Sequence, residues 1–166
     1  MNARARVKAA DRGVGNVEIV TADIADVDMP SGSVALVAAV HALYAFPDPP
    51  AVIQRMYDWL RPGGVVWAVD PSGPLNIAGW RRYLFASVRR EHGLATALQL
   101  LWRAREAARQ NRRIDRALDS GAYWGKDEHA LRAAFEAAGF TVVACEPTYR
   151  GCSHRLVARK PGPDGT

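Results

Sequence analysis

Cysteine is scarce in this chain: Cys145 and Cys152 are the only two among 166 residues. Their spacing suits neither a zinc site nor a disulfide framework, so a reducing cytoplasm is the expected compartment. No apolar run approaches the roughly 20 residues that a membrane-crossing helix needs. The basic opening, Met1 to Arg6, leads into no apolar stretch and makes a poor secretory signal. Internal repeats and low-complexity tracts are missing too. Gly13-Val14-Gly15 precedes an apolar run instead of following one, so it reads as a helix stop and not as a nucleotide loop. The acids Asp23, Asp26 and Asp28 lack the glycine and terminal acid of a calcium loop, and no metal site is expected.

The residues present are enough for one packed domain. Hydrophobic residues make up 49% and charged residues 23%, a balance that excludes a disordered chain. The net charge of +5 is unevenly placed. Ten arginines lie from Arg81 to Arg116 against Glu91, Glu106 and Asp115, so this segment carries +7 and the rest −2. A solvated helix face explains such a run, and contact with an anionic surface is the alternative. From Arg89 to Arg116 only Trp102 interleaves an aromatic ring, which argues against a stacking platform for nucleic acid.

Hydrophobic spacing gives the element order. Residues 3–12 read as a helix stopped by Gly13 and Gly15, and 17–20 as a short strand. Residues 34–40 are almost wholly apolar, the mark of a strand buried on both faces in a parallel sheet. A helix over 51–60 follows Pro50 and ends sharply at Arg61-Pro62-Gly63-Gly64, and 65–69 is another buried strand. Two helices separated near Gly93 fill about 77–118. Asp127 or a neighbour caps a helix over 128–138, closed by Gly139. Residues 140–145 and 154–159 then form an antiparallel hairpin, and 161–166 are a disordered tail. Strands and helices alternate, so the expected class is α/β.

Three stretches carry a resemblance. Residues 16–23 (NVEIVTAD) form a strand ending in an acid. Residues 33–48 (SVALVAAVHALYAFPD) follow the pattern of a strand and loop closing on Asp48. Residues 59–64 (WLRPGG) close a helix ahead of a strand. In this order and spacing they resemble the class I, Rossmann-like S-adenosylmethionine-dependent methyltransferases. The resemblance implies a three-layer sandwich with a mainly parallel sheet, a C-terminal antiparallel hairpin and a helical lid at about 77–118, in one domain over 1–160. Trp80, Leu84, Leu98 and Trp102 are then expected to face the body. It implies S-adenosylmethionine as cofactor, held by Asp23, Ile24, Val40 and His41, and a small-molecule or lipid acceptor bordered by Tyr44, Asp70, Tyr123 and Trp124.

The chemistry suits this set. Ligands of open α/β sheets sit beyond the carboxyl ends of the strands, where Asp23, the loop after Val40, and Asp70 are expected. Methyl transfer from a sulfonium needs alignment and exclusion of water, with a base only if the acceptor must lose a proton. For Asp23 a loop cap is the competing role, for His41 a pocket wall, and for Tyr123 and Trp124 ordinary core packing. The family's glycine-rich loop and its ribose-binding acid have no counterpart in residues 1–16, so the expectation is an N-terminally truncated member that binds the cofactor weakly or not at all. Ala35 and Tyr44-Ala45 stand where the family commonly has Asp and, in some members, Glu-His. Two other functions remain open: a non-catalytic remnant or partner subunit, and a binding module that uses the basic insert. Exposed strand edges offer a route to a homo-oligomer.

Overall fold

The computed structural model describes residues 2–162. The expected tail over 161–166 lies mostly outside the described residues. Helix α1 (Asn2–Asp11) ends where Gly13 takes φ +62 and the N–H of Val14 reaches back to Ala9, the glycine stop read from the sequence. Strand β1 (Val34–Val40) follows, then α2 (Pro49–Trp59), β2 (Leu60–Pro71), α3 (Ile77–Arg103), α4 (Arg105–Asp119), α5 (Glu128–Ala137), β3 (Thr141–Thr148) and β4 (Ser153–Arg159). The sheet order is β1-β2-β4-β3. Asp48 caps α2, with Pro49 and Pro50 in its first turn, and Asp127 caps α5 through Ala130 N–H at 2.9 Å.

The α/β, Rossmann-like class holds, but the sheet is mixed. β1 and β2 are parallel, while β2–β4 and β3–β4 are antiparallel. The resemblance implies a mainly parallel sheet, and residues 17–20, expected as one of its strands, are not a strand. Their backbone is met by α1 instead: Asn2 Nδ2 donates to Val20 C=O at 3.2 Å, and an Arg6 guanidinium nitrogen to Ile19 C=O at 2.8 Å. A β-prone run with no neighbouring strand to pair with stays extended coil.

Helices α2 and α5 cover one face of the sheet. Val52, Ile53, Met56, Leu131 and Phe135 pack there against Val66, Ala68, Leu156 and Ala158. The expectation that 34–40 is buried on both faces is corrected. Ala39 is buried, but Leu36 is 58% exposed and Val40 46%. On the same face as Leu36, Trp67 of β2 is also exposed. Leu36, Val40 and Trp67 thus form an exposed apolar strip on this face of the sheet.

The Arg61-Pro62-Gly63-Gly64 stretch is not a separate turn before the strand. It runs within β2 as an irregularity, since Val34 pairs with Leu60 and Leu36 already with Val65. Gly63 N–H donates to Lys160 C=O and Lys160 N–H to Gly64 C=O, each at 2.9 Å. The break near Gly93 is present: its φ of 82 and ψ of 171 interrupt α3. The four side chains expected to face the body do not all do so. Trp80 is partly buried, but Leu84, Leu98 and Trp102 are exposed, Trp102 at 67%. Ala97 is the one buried residue of α3, because this helix packs mainly on α4 and leaves its larger side chains along grooves between them.

Candidate functional site

Three segments converge where β1 and β2 end. After Val40, His41 adopts φ +49 and its N–H donates to Val69 C=O at 2.7 Å, locking the first loop onto β2. A short 3-10 turn, Leu43–Ala45, follows. Asp70, one residue before the end of β2, is buried, and its Oδ1 accepts the N–H of Tyr44 at 3.1 Å. Oδ2 has no hydrogen-bond partner. Burial pushes the Asp70 carboxyl up to about 6, against the opposing pull of the Tyr44, Leu43 and Ala42 amides. An unpaired oxygen on a buried carboxylate at the carboxyl edge is a chemically poised group.

The four residues expected to border an acceptor come together. The rings of Tyr44 and Tyr123 meet edge to face at 5.2 Å, and Trp124 N–H donates to Tyr44 C=O at 2.9 Å. With Tyr44 on Asp70, these contacts make one connected group. Burial, then Tyr123 and Asp70, raise the Tyr44 phenol above its ordinary value. Tyr123 and Trp124 are partly buried, and Trp124 also packs against the main core.

The four cofactor candidates lie on two segments. Asp23 caps the 3-10 turn Ile24–Asp26, its Oδ1 accepting Ala25 N–H at 2.9 Å. Ile24 packs against the core, and the Arg55 guanidinium ties this turn to α2 through the carbonyls of Ala25 and Val27. Val40 and His41 lie at the end of β1. Asp23 keeps one carboxylate oxygen free of the cap, and Ile24 and Val40 offer apolar surface, as an adenine-bearing cofactor needs. The His41 N–H is held by Val69 C=O. Partial desolvation lowers the His41 imidazole below its usual value, so the ring is neutral at pH 7.

Sequence reading missed the loop Tyr149-Arg150-Gly151, whose φ values of 47, 59 and 81 are all left-handed. Tyr149 meets the His41 ring at 5.1 Å, and the Arg150 guanidinium stands 4.4 Å from the Tyr83 ring centre and 6.0 Å from that of Trp80. This loop therefore joins the β1 end to α3. Between them is an apolar groove of about 310 Å³, walled by His41, Trp80, Leu84, Ala108 and Tyr149. The one sequence signal was Gly151 in a short hairpin connection.

Comparison with known proteins agrees with this architecture. Residues 3–145 match the family model described as a methyltransferase domain. The nocamycin O-methyltransferase of Saccharothrix syringae is 38% identical over 73 residues, which are 44% of this chain and 26% of that protein. A demethylmenaquinone methyltransferase of Listeria welshimeri is 35% identical over 86 residues, 52% of this chain and 35% of that one. The matches thus span about a third or less of these relatives. A solved methyltransferase structure from Aquifex aeolicus superposes with a TM-score of 0.61 at 11% identity, over 96% of this chain and 63% of that one, a likeness of fold alone. With the family model matched over most of its length, from α1 into β3, the chain belongs to the methyltransferase domain family.

Proposed function

We propose that this chain serves S-adenosylmethionine-dependent methyl transfer to a small-molecule acceptor, with Asp70 receiving the acceptor's proton. The observation that carries the reading is the Asp70 carboxylate: buried, at the end of β2, with Oδ2 unpaired and a pKa of about 6. A base of that strength is mostly ionised at pH 7.5 and still basic enough to assist loss of a hydroxyl proton. Asp23, Ile24 and Val40 would hold the cofactor, which supplies an activated methyl group when bound. His41, set edge-on to Tyr149, would wall the acceptor groove and exclude water. The groove volume suits a small molecule; Asp70, Tyr44, Tyr123 and Trp124 are not among its walls, and lie at the adjoining ends of β1 and β2. The methyl acceptors named in the two relatives support the small-molecule class. The two buried free cysteines fit a cytoplasmic setting. No helix among the described residues is long and apolar enough to cross a membrane.

Methyl transfer from labelled S-adenosylmethionine to a panel of small hydroxylated rings tests the reading, alongside calorimetry of cofactor binding. Weak, saturable binding that Asp23→Ala abolishes is the expected result. Asp70→Asn should cut turnover about 100-fold or more, the scale of a lost general base. Absence of both binding and transfer at millimolar cofactor overturns the proposal. Full turnover in Asp70→Asn would leave Asp70 as the anchor of the Tyr44 loop only.

A further inference from the structure

A second concavity adjoins the apolar groove. It has a volume of about 610 Å³ and is lined by Arg81, Trp102, Arg105, Arg109 and Arg112. Three of these arginines, at 105, 109 and 112, share one face of α4 at helical spacing, and Arg81 enters from α3. The two cavities share Arg81, Ala104 and Ala108 as common walls. Arg109 pairs with Glu106 at 2.8 Å, whereas Arg81, Arg105 and Arg112 have no ion pair among the described residues. Guanidinium groups facing one hollow repel each other, and an anion between them relieves that repulsion while satisfying their fork of donors. The neighbouring groove offers the opposite chemistry, with Trp80, Leu84 and Ala108 on its walls and few polar atoms.

We propose that the two cavities together bind one soluble amphiphile: an apolar chain or ring in the groove beside His41, and an anionic phosphate or carboxylate group at Arg81, Arg105 and Arg112. The proposal rests on the reading of that groove as the acceptor pocket and names the class of acceptor, a small molecule carrying a negative charge at the end remote from the sheet. Charge complementarity selects this occupant over a neutral one. The groove, which a bare phosphate would leave empty, selects it over an inorganic anion.

Calorimetry of the full chain with octyl phosphate, octan-1-ol and inorganic phosphate, all below micellar concentration and without cofactor, tests the idea apart from methyl transfer. Octyl phosphate should bind one to one and at least tenfold more tightly than octan-1-ol at low salt, with the margin shrinking in 0.5 M salt, as charge screening requires. Arg105→Gln with Arg112→Gln should erase the margin and leave octan-1-ol binding as it was. Leu84→Gln, at an exposed groove wall, and Ala108→Trp, which fills the shared wall, should each weaken both ligands. Circular dichroism on every variant separates lost binding from lost fold. Equal affinity for the alcohol and the phosphate ester overturns the proposal, as does a margin that survives the arginine substitutions. Inorganic phosphate binding as tightly as octyl phosphate also overturns it, and so does binding seen only with anionic vesicles. Any of these failures leaves the methyl-transfer assay on neutral acceptors standing.

Discussion

Asp70 and Tyr44 are joined by a single hydrogen bond, from the Tyr44 backbone N–H to one oxygen of a carboxylate whose other oxygen is buried and unpaired. Burial of the carboxyl makes the native state favour protonation of Asp70, against the opposing pull of that hydrogen bond. Its pKa of about 6 lies above the ordinary carboxylate value, about 3.9 in an unfolded chain. The ionised group therefore destabilises the fold, fully above pH 6, and the penalty fades as pH falls from 6 to 4. Two units correspond to about 3 kcal/mol. Chemical denaturation of wild type and Asp70→Asn across this window is the check. Wild type should gain stability relative to the variant on acidification, and a difference independent of pH would show that Asp70 titrates normally.

Arg150 fastens the β3–β4 loop to α3. Its guanidinium lies 4.4 Å from the centre of the Tyr83 ring, and an exposed cation–π contact of this kind contributes about 0.5–1 kcal/mol. Arg150→Ala should therefore lower global stability by no more than that. Its larger effect should be local: faster amide hydrogen exchange at 149–152 and in the first turns of α3, with exchange in β2 unchanged. Uniform loss of protection across the sheet would contradict a local clasp.

Gly64 is fixed by crowding. A Cβ there would lie 2.8 Å from Arg61 C=O and 2.9 Å from a Leu60 methyl, and Leu60 is fully buried. Gly64→Ala should cost about 1–3 kcal/mol, the range for overpacking a tight site. Gly15→Ala, with open space around the added methyl, should stay within about 0.5 kcal/mol. Thermal melts of the pair measure the contrast directly.

How much of this could be read from residues alone differs by element. The α2 and α5 boundaries were legible to within two residues because Pro50, Asp127 and Gly139 are local signals that act within a few residues. The β3–β4 hairpin was legible from its short connection. Residues 17–20 misled because strand propensity says nothing about whether a partner strand is at hand. The apolar run over 34–40 misled similarly: composition fixed a strand, but not which of its faces would be covered. Within the site, Tyr44, Asp70, Tyr123 and Trp124 could be grouped from their places after strands and ahead of α5. The Tyr149–Gly151 loop could not, because its left-handed backbone and its grip on Tyr83 come from tertiary packing, which has no periodic signature.

The uncovered part of the sheet leads to the last prediction. Leu36 and Val40 project from β1, an edge strand, and Trp67 lies beside them on β2, pairing with Ala38. Exposed apolar residues on an unpaired edge form a template for association, and natural edges are commonly guarded by charge. Among the residues of β1 there is none. The isolated chain should therefore self-associate with rising concentration in sedimentation experiments. Leu36→Lys, with or without Val40→Lys, should shift it toward monomer. Because both side chains are already about half exposed, the cost to stability should stay within about 1 kcal/mol, well below that of opening a core cavity. Substitution of buried Ala39 by lysine on the same strand should instead unfold the chain, since that position faces Leu43 and the core under α2. Association that persists undiminished in the double lysine variant would move the contact to another surface, and the arginine-lined face of α4 would be ruled out next by repeating the experiment at high salt.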